Sequence, residues 1–135
     1  MVASVLFCCT MNSVRSPMAE VIARHQLGPA ARIASCGVFA GAFDPYVAMA
    51  LSEIGMEEPP HDPQDFSAIH LEDYGLIAAL SDEAYESVRR ERPDALYWPT
   101  SNPAAVLGSD EIVMAAYRAT RDELRQRLAA AFRTV

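Results

Sequence analysis

The stretch Val5-Leu6-Phe7-Cys8-Cys9-Thr10-Met11-Asn12-Ser13-Val14-Arg15-Ser16-Pro17 passes from an apolar run to a polar loop and then meets a proline. Val5-Leu6-Phe7 reads as a buried strand. Pro17 has a φ suited to the first helical position, and a helical pattern follows it to about Leu27, closed by Gly28-Pro29. Strand, short loop and helix follow one another directly, which is the opening unit of an α/β fold.

The same alternation continues outward from that stretch. Ile33 to Cys36 is a second strand, and Asp44-Pro45 supplies an N-cap and an N1 proline for an amphipathic helix ending at Gly55. Met56 to about Phe66 carries Pro59, Pro60 and Pro63 and must be loop. Leu76 to Leu80 is continuously apolar, as in a strand covered on both faces. Ser81 caps the next helix, with Asp82 and Glu83 in its first turn, Arg89, Arg90 and Arg92 near its other end and Pro93 as its stop. Leu96-Tyr97-Trp98 is a fourth short strand, Pro99 to Gly108 a loop, and the last helix runs from about Asp110 to the C-terminus.

Four strand–helix repeats predict one α/β domain over residues 1–135, with a four-stranded parallel sheet flanked by helices on both faces. Ligands of such sheets bind beyond the carboxyl ends of the strands, which points to residues 9–16, 37–44, 81 and 99–105.

Composition narrows the function. The chain has 135 residues, 51% hydrophobic and 21% charged, which is an ordinary globular balance and not a disordered one. Its 11 basic against 18 acidic residues give a net charge of −7, which argues against a nucleic-acid or anionic-membrane partner but not against one local anion pocket. All the basic residues are arginines apart from three histidines, so Schiff-base chemistry and a lysine-bearing nucleotide loop are excluded. The apolar start lacks a positive leader and reads as a strand, not a signal peptide. Three cysteines, two of them adjacent, make a poor disulfide framework and suit free thiols in a reducing cytoplasm. His25, His61 and His70 are far apart without ligand spacing, so neither a metal nor another cofactor is expected.

The loop after the first strand carries the chemistry. Six residues from Cys9 to Arg15, wrapped round a small anion, bring a thiol and a guanidinium to the same centre. Thr10, Met11, Asn12, Ser13, Val14 and Arg15 supply inward-turned N–H groups as a nest, and the following helix points its N-terminus at the same spot. Arg15 can hold two oxygens in its planar fork. Together these positive groups favour the thiolate of Cys9, a nucleophile, while Ser16 can donate a hydrogen bond to that sulfur. Asn12 tolerates the positive φ that a tight anion loop needs. A bare Cys-x5-Arg is more often a core cysteine near a surface arginine. The buried strand before it, the Ser-Pro after it and its place at the sheet edge favour the anion loop. Cys8 falls on the opposite face of the strand and reads as core.

With these residues the chain resembles the low-molecular-weight protein tyrosine phosphatase family, which includes the related arsenate reductases. The resemblance rests on Val5-Leu6-Phe7, Cys9 to Ser16 and Pro17-Met18-Ala19-Glu20. Weaker matches follow at Ser35-Cys36-Gly37, Asp44-Pro45, Leu76 to Ser81 and Tyr97-Trp98. It implies a phosphate-monoester hydrolase in which Cys9 attacks phosphorus, water hydrolyses the phosphocysteine, and Arg15 with the loop amides stabilises the oxygens. Its substrate would be phosphate carried on a small molecule or a protein. The resemblance also implies an aspartate before a proline on a late loop, as proton donor.

Several positions depart from that pattern. Asn102, before Pro103, stands where the aspartate is expected, and an amide cannot give up a proton; loss of a general acid typically costs about 10²–10⁴ in rate. Asp110 is the nearest other acid but reads as the first residue of the last helix, and Asp44 reads as an N-cap. Val14 replaces a second cysteine that traps oxidised sulfur in many members. Ala104 and Ala105 stand where tyrosine-specific members place aromatics, and Phe39 and Phe43 fit equally as one pocket wall or as core. The helix after Leu80 has no cysteine, which excludes a paired-cysteine relay. Tyr97 and Trp98 read as strand and rim packing. Two alternatives stay open: an impaired phosphatase that only binds phosphate or a phosphoprotein, and an arsenate reductase using an external thiol. The sequence leaves the oligomeric state open.

Overall fold

A computed structural model describes residues 3–132. Its strands are β1 (Ser4–Cys9), β2 (Arg32–Gly37), β3 (Leu76–Ala79) and β4 (Leu96–Tyr97); its helices are α1 (Arg15–Leu27), α2 (Pro45–Ser52), α3 (Asp82–Val88) and α4 (Asp110–Ala131). The strands form one parallel sheet, as the strand–helix alternation predicts, and the structure orders them β2-β1-β3-β4. Because the chain leaves β1 for one side and returns to its other side at β3, the strand order reverses at β1. A crevice opens beyond its carboxyl end, and Cys9 is the last residue of that strand.

Alternation along β1 divides the core. Val5, Phe7 and Cys9 face a layer built with Met18, Ile22, Leu51, Leu124 and Leu128, whereas Leu6 and Cys8 face Cys36, Ile77, Ala84 and Val88. Helices α1, α2 and α4 thus cover one face and α3 the other. Helix α1 is buried continuously from Ser16 to Ala23, because it touches both the sheet and α4. Phe7, fully buried, packs its ring 6.5 Å from that of Trp98.

Several boundaries differ from the sequence reading. Helix α1 begins at Arg15, so Pro17 is the third helical residue and not the first. Its missing N–H still costs nothing, since the first intrahelical bond runs from Met18 N to Val14 O. Helix α2 stops at Ser52, and Gly55 at φ +74° turns the chain so that Met56 N reaches Leu51 O. Helix α3 ends at Val88, and its last turn holds no basic residue. Arg92 lies beyond it, where its guanidinium donates to the carbonyls of Leu71 and Tyr74, each at 2.7 Å, and pairs with Asp94. Those bonds offer more than the helix dipole would. The fourth strand is shorter than expected, although Trp98 N still donates to Ala79 O at 2.8 Å.

Helix α4 follows its expected start, with Ser109 as N-cap and Asp110 in the first turn. The expected continuation of that helix over residues 133–135 lies outside the described residues, as do the first two residues of the N-terminal stretch. No helix among the described residues is long and apolar enough to cross a membrane.

Candidate active site

The loop from Thr10 to Val14 is held from outside by its carbonyl groups. Val38 N donates to Cys9 O, Phe39 N to Thr10 O and Gly41 N to Met11 O, at 3.1, 2.8 and 2.8 Å. With the carbonyls so engaged, the backbone N–H groups of residues 11–16 have no acceptor among the described residues. Val14 is the N-cap of α1 and has no side-chain acceptor to offer, so the helix N-terminus is also left open. A short loop and a helix start therefore present unpaired donors to one place, which is what an anion requires.

Two backbone features permit the close turn. Asn12 sits at φ 50°, a conformation that asparagine accepts more readily than most residues. Gly37 lies against it, and a Cβ there would fall 2.6 Å from Asn12 N and 2.7 Å from Phe39 O.

Cys9 is 2% exposed, and its Sγ lies 2.9 Å from Ser16 Oγ. Behind this pair a buried chain of polar groups runs through the first core layer. Asn12 Nδ2 donates to Ser16 Oγ (2.8 Å) and Ser35 Oγ (2.9 Å), and Asn12 Oδ1 accepts from Gln64 N (2.9 Å). Ser35 Oγ donates to Glu20 Oε1 (2.5 Å), which also bonds His61 Nε2 (2.7 Å), while Arg24 reaches Glu20 Oε2 (2.8 Å). Burial alone would raise the Glu20 pKa, but hydrogen bonds from His61, Ser35 and Arg24 outweigh it and hold the carboxyl below its ordinary value. The bond to Glu20 raises that of His61. Sequence reading set His61 aside and noticed Glu20 only within the resemblance. No periodicity marks a contact across so many residues.

Arg15 donates from Nη1 to Thr100 O at 3.1 Å and lies with Nη2 3.5 Å from Thr10 Oγ1. These contacts span the end of β1 and the loop after β4, fixing the guanidinium at the crevice. Thr10 Oγ1 in turn donates to Glu83 Oε1 at 3.0 Å and lies 3.0 Å from Ser81 Oγ.

Cys9, Thr10, Met11, Ser13, Val14 and Arg15 line one cavity of about 510 Å³ together with Ala42–Tyr46, Glu83, Asn102, Ala104 and Tyr117. That volume admits a phosphate and the side chain carrying it. All the segments named from the sheet-edge rule contribute except residue 81, whose neighbour Glu83 does, and Tyr117 from α4 was not foreseen. Asn12 and Ser16 lie behind the lining, buried, and act on it through their bonds.

The other candidates sort as follows. Asn102 is exposed in the cavity wall, and its Oδ1 caps the turn Pro103–Ala105 by accepting from Ala104 N at 3.1 Å. Asp110 opens α4 and accepts from Tyr46 OH at 3.2 Å. Asp44 caps α2 through Tyr46 N (2.9 Å) and also accepts from Tyr117 OH (2.5 Å). Phe43 lines the cavity and Phe39 does not; both are at least half exposed, so neither is core. Tyr97 stacks on Tyr85 at 4.9 Å, away from the cavity. Cys8 and Cys36 are paired across β1 and β2 on the sheet face opposite Cys9, and burial pushes both thiols far above their ordinary pKa. Among the described residues no cluster of three His, Cys, Asp or Glu side chains is placed to hold a metal ion.

Residues 4–98 match the family described as low molecular weight phosphotyrosine protein phosphatase. The chain is 30% identical over 129 residues to an arsenate reductase of Bacillus licheniformis, spanning 93% of this chain and 91% of that one. It is 29% identical over 126 residues to an arsenate reductase of Bacillus subtilis, spanning 92% and 91%. Its fold superposes on the tyrosine phosphatase Wzb of Escherichia coli K30, solved with sulphate, at a TM-score of 0.76 and 25% identity, covering 97% of this chain and 99% of that one. The chain belongs to the low-molecular-weight phosphotyrosine protein phosphatase family, which holds both phosphatases and arsenate reductases.

Proposed function

We propose that this chain, working as one domain over residues 1–135, is a phosphate-monoester hydrolase that turns over through a phosphocysteine. The observation that carries the reading is the placement of Cys9 Sγ, 2.9 Å from Ser16 Oγ, at the base of a loop whose N–H groups have no acceptor among the described residues and whose rim holds Arg15. Cys9 attacks phosphorus. Arg15 and the backbone of Thr10, Met11, Asn12, Ser13 and Val14 stabilise the equatorial oxygens, and the Ser16 hydroxyl supports sulfur as it leaves. The substrate is phosphate on a small molecule or a protein; the acidic surface suits neither nucleic acid nor membrane. A reducing cytoplasm keeps Cys9 in the free thiol form this chemistry needs. Asn102 itself brings no proton to the leaving oxygen.

The test is hydrolysis of p-nitrophenyl phosphate with Cys9→Ser as the blank, followed by trapping of a phosphorylated Cys9 peptide. Turnover that the substitution abolishes is the expected result. Phosphate binding by calorimetry without any turnover supports instead a phosphate- or phosphoprotein-binding protein, the reading that Asn102 favours.

Arsenate reduction is the second enzymatic reading, favoured by the names of the curated relatives. It requires an external thiol here, since Cys8 and Cys36 lie across the sheet from Cys9. Arsenate-dependent thiol consumption lost in Cys9→Ser identifies it.

A further inference from the structure

Resting on the hydrolase reading, we propose that Glu83 is the proton donor and acceptor of the reaction, in the role that Asn102 cannot fill. Two carboxylates line the cavity that holds Cys9 and Arg15, those of Asp44 and Glu83. Asp44 is committed elsewhere: one oxygen caps α2 and the other accepts the hydroxyl of buried Tyr117, so a proton on either oxygen would weaken a structural bond. Glu83 has no such commitment. It projects from the first turn of α3, where the Ser81 cap fixes the backbone, and it is exposed to the cavity. Among the described residues only Oε1 has a partner, at 3.0 Å from the hydroxyl of Thr10, the residue that follows the nucleophile. The same hydroxyl lies 3.5 Å from Arg15 Nη2, so the carboxyl is tied to the anion loop itself while Oε2 stays free.

The chemistry favours this arrangement. In the first step Cys9 Sγ bonds to phosphorus, and the phosphorus–oxygen bond to the leaving group breaks with its electron pair on oxygen. That oxygen takes the proton of Glu83. In the second step the Glu83 carboxylate takes a proton from water, whose oxygen bonds to phosphorus as the sulfur–phosphorus bond breaks. Inorganic phosphate, the Cys9 thiolate and the protonated carboxyl are regenerated.

The test compares the full-length chain with Glu83→Gln on phenyl phosphate, a poor leaving group, and 2,4-dinitrophenyl phosphate, which departs without a proton. Gln keeps an acceptor for Thr10, so a purely structural role survives the change. The expected result is a loss of about 10²-fold or more in kcat on phenyl phosphate, with a far smaller loss on the dinitrophenyl ester. Adding Asn102→Asp to the Glu83→Gln chain should restore much of the phenyl phosphate rate. An equal loss on both esters, or no loss on either, overturns the role of Glu83 and leaves the hydrolase standing. A wild-type chain that hydrolyses neither ester overturns the hydrolase and this proposal with it.

Discussion

Ser16 Oγ lies 2.9 Å from Cys9 Sγ and 3.3 Å from the carbonyl of Cys36, so its single proton has two acceptors. Asn12 Nδ2 already fills one lone pair of that hydroxyl at 2.8 Å. When Cys9 is a thiolate the proton turns to sulfur, because a charged acceptor binds it more strongly than a carbonyl. The hydroxyl is thus oriented before any substrate arrives.

Ser16→Ala should therefore slow alkylation of Cys9 by iodoacetamide at neutral pH. A hydrogen bond to a charged group is worth about 1.5–3 kcal/mol, or roughly ten- to a hundredfold in rate. Alkylation followed by mass spectrometry reads this directly, with the Cys9 peptide as reporter. An unchanged rate would show that the loop amides alone carry the thiolate.

The bond from His61 to Glu20 makes stability depend on pH with a defined sign. The folded-state pKa of His61 is raised above 6.5, so its contribution is complete below 6.5 and is lost as pH climbs through the raised value. The Glu20 pKa is lowered below 4.5, so its contribution is complete above 4.5 and is lost as pH falls through the lower value. Between those two values both are present. Thermal melts of wild type and His61→Gln should differ most in that window, by about 1–3 kcal/mol, and converge at alkaline pH. A difference independent of pH would mean that the imidazole acts only by shape.

Gly37→Ala should disable anion binding while sparing most of the core. Its Cβ would meet Asn12 N at 2.6 Å, Phe39 O at 2.7 Å and Met11 C at 2.9 Å, all of them backbone that must move. Such a displacement costs about 1–3 kcal/mol and falls on the loop between Cys9 and Arg15. Calorimetry with inorganic phosphate should show at least a tenfold weaker complex, with the circular dichroism of the sheet unchanged.

Asp44→Ala removes a helix cap and strands the hydroxyl of Tyr117. Loss of the cap costs about 1 kcal/mol and the unpaired buried hydroxyl about 1–3 kcal/mol more. Urea titration should show a lower midpoint with an unaltered slope. Asp44→Asn keeps one acceptor oxygen, which can serve the cap or the Tyr117 hydroxyl but not both, and should recover part of the loss. A full loss of turnover at unchanged stability would instead place Asp44 in the chemistry.

Most of the fold was legible because it depends on short-range signals. The apolar run at Val5-Leu6-Phe7, the Asp44-Pro45 cap and the Ser81 cap each act within a few residues, and the strand–helix order leaves few topologies. Element ends were less legible. Arg92 follows α3 instead of closing it, because the carbonyls of Leu71 and Tyr74 lie within its reach only in the folded chain. The positive φ at Asn12 was readable for the same local reason, whereas the helix start was misplaced at Pro17 by two residues from its true position at Arg15.

By itself the sequence determined a parallel α/β sheet and, after its first strand, a short loop with a thiol at one end and a guanidinium at the other. Only the tertiary structure decided what surrounds them. Glu20, Ser35 and His61 meet behind Asn12 because α1 is pressed between sheet and helix, where a buried carboxylate must be fully hydrogen-bonded to remain charged. Glu83, which the sequence presents as a helix-dipole charge, reaches Thr10 because β3 lies beside β1 and their carboxyl ends share one crevice. Side chains 73 positions apart leave no pattern in the chain; the folded sheet brings them within 3.0 Å.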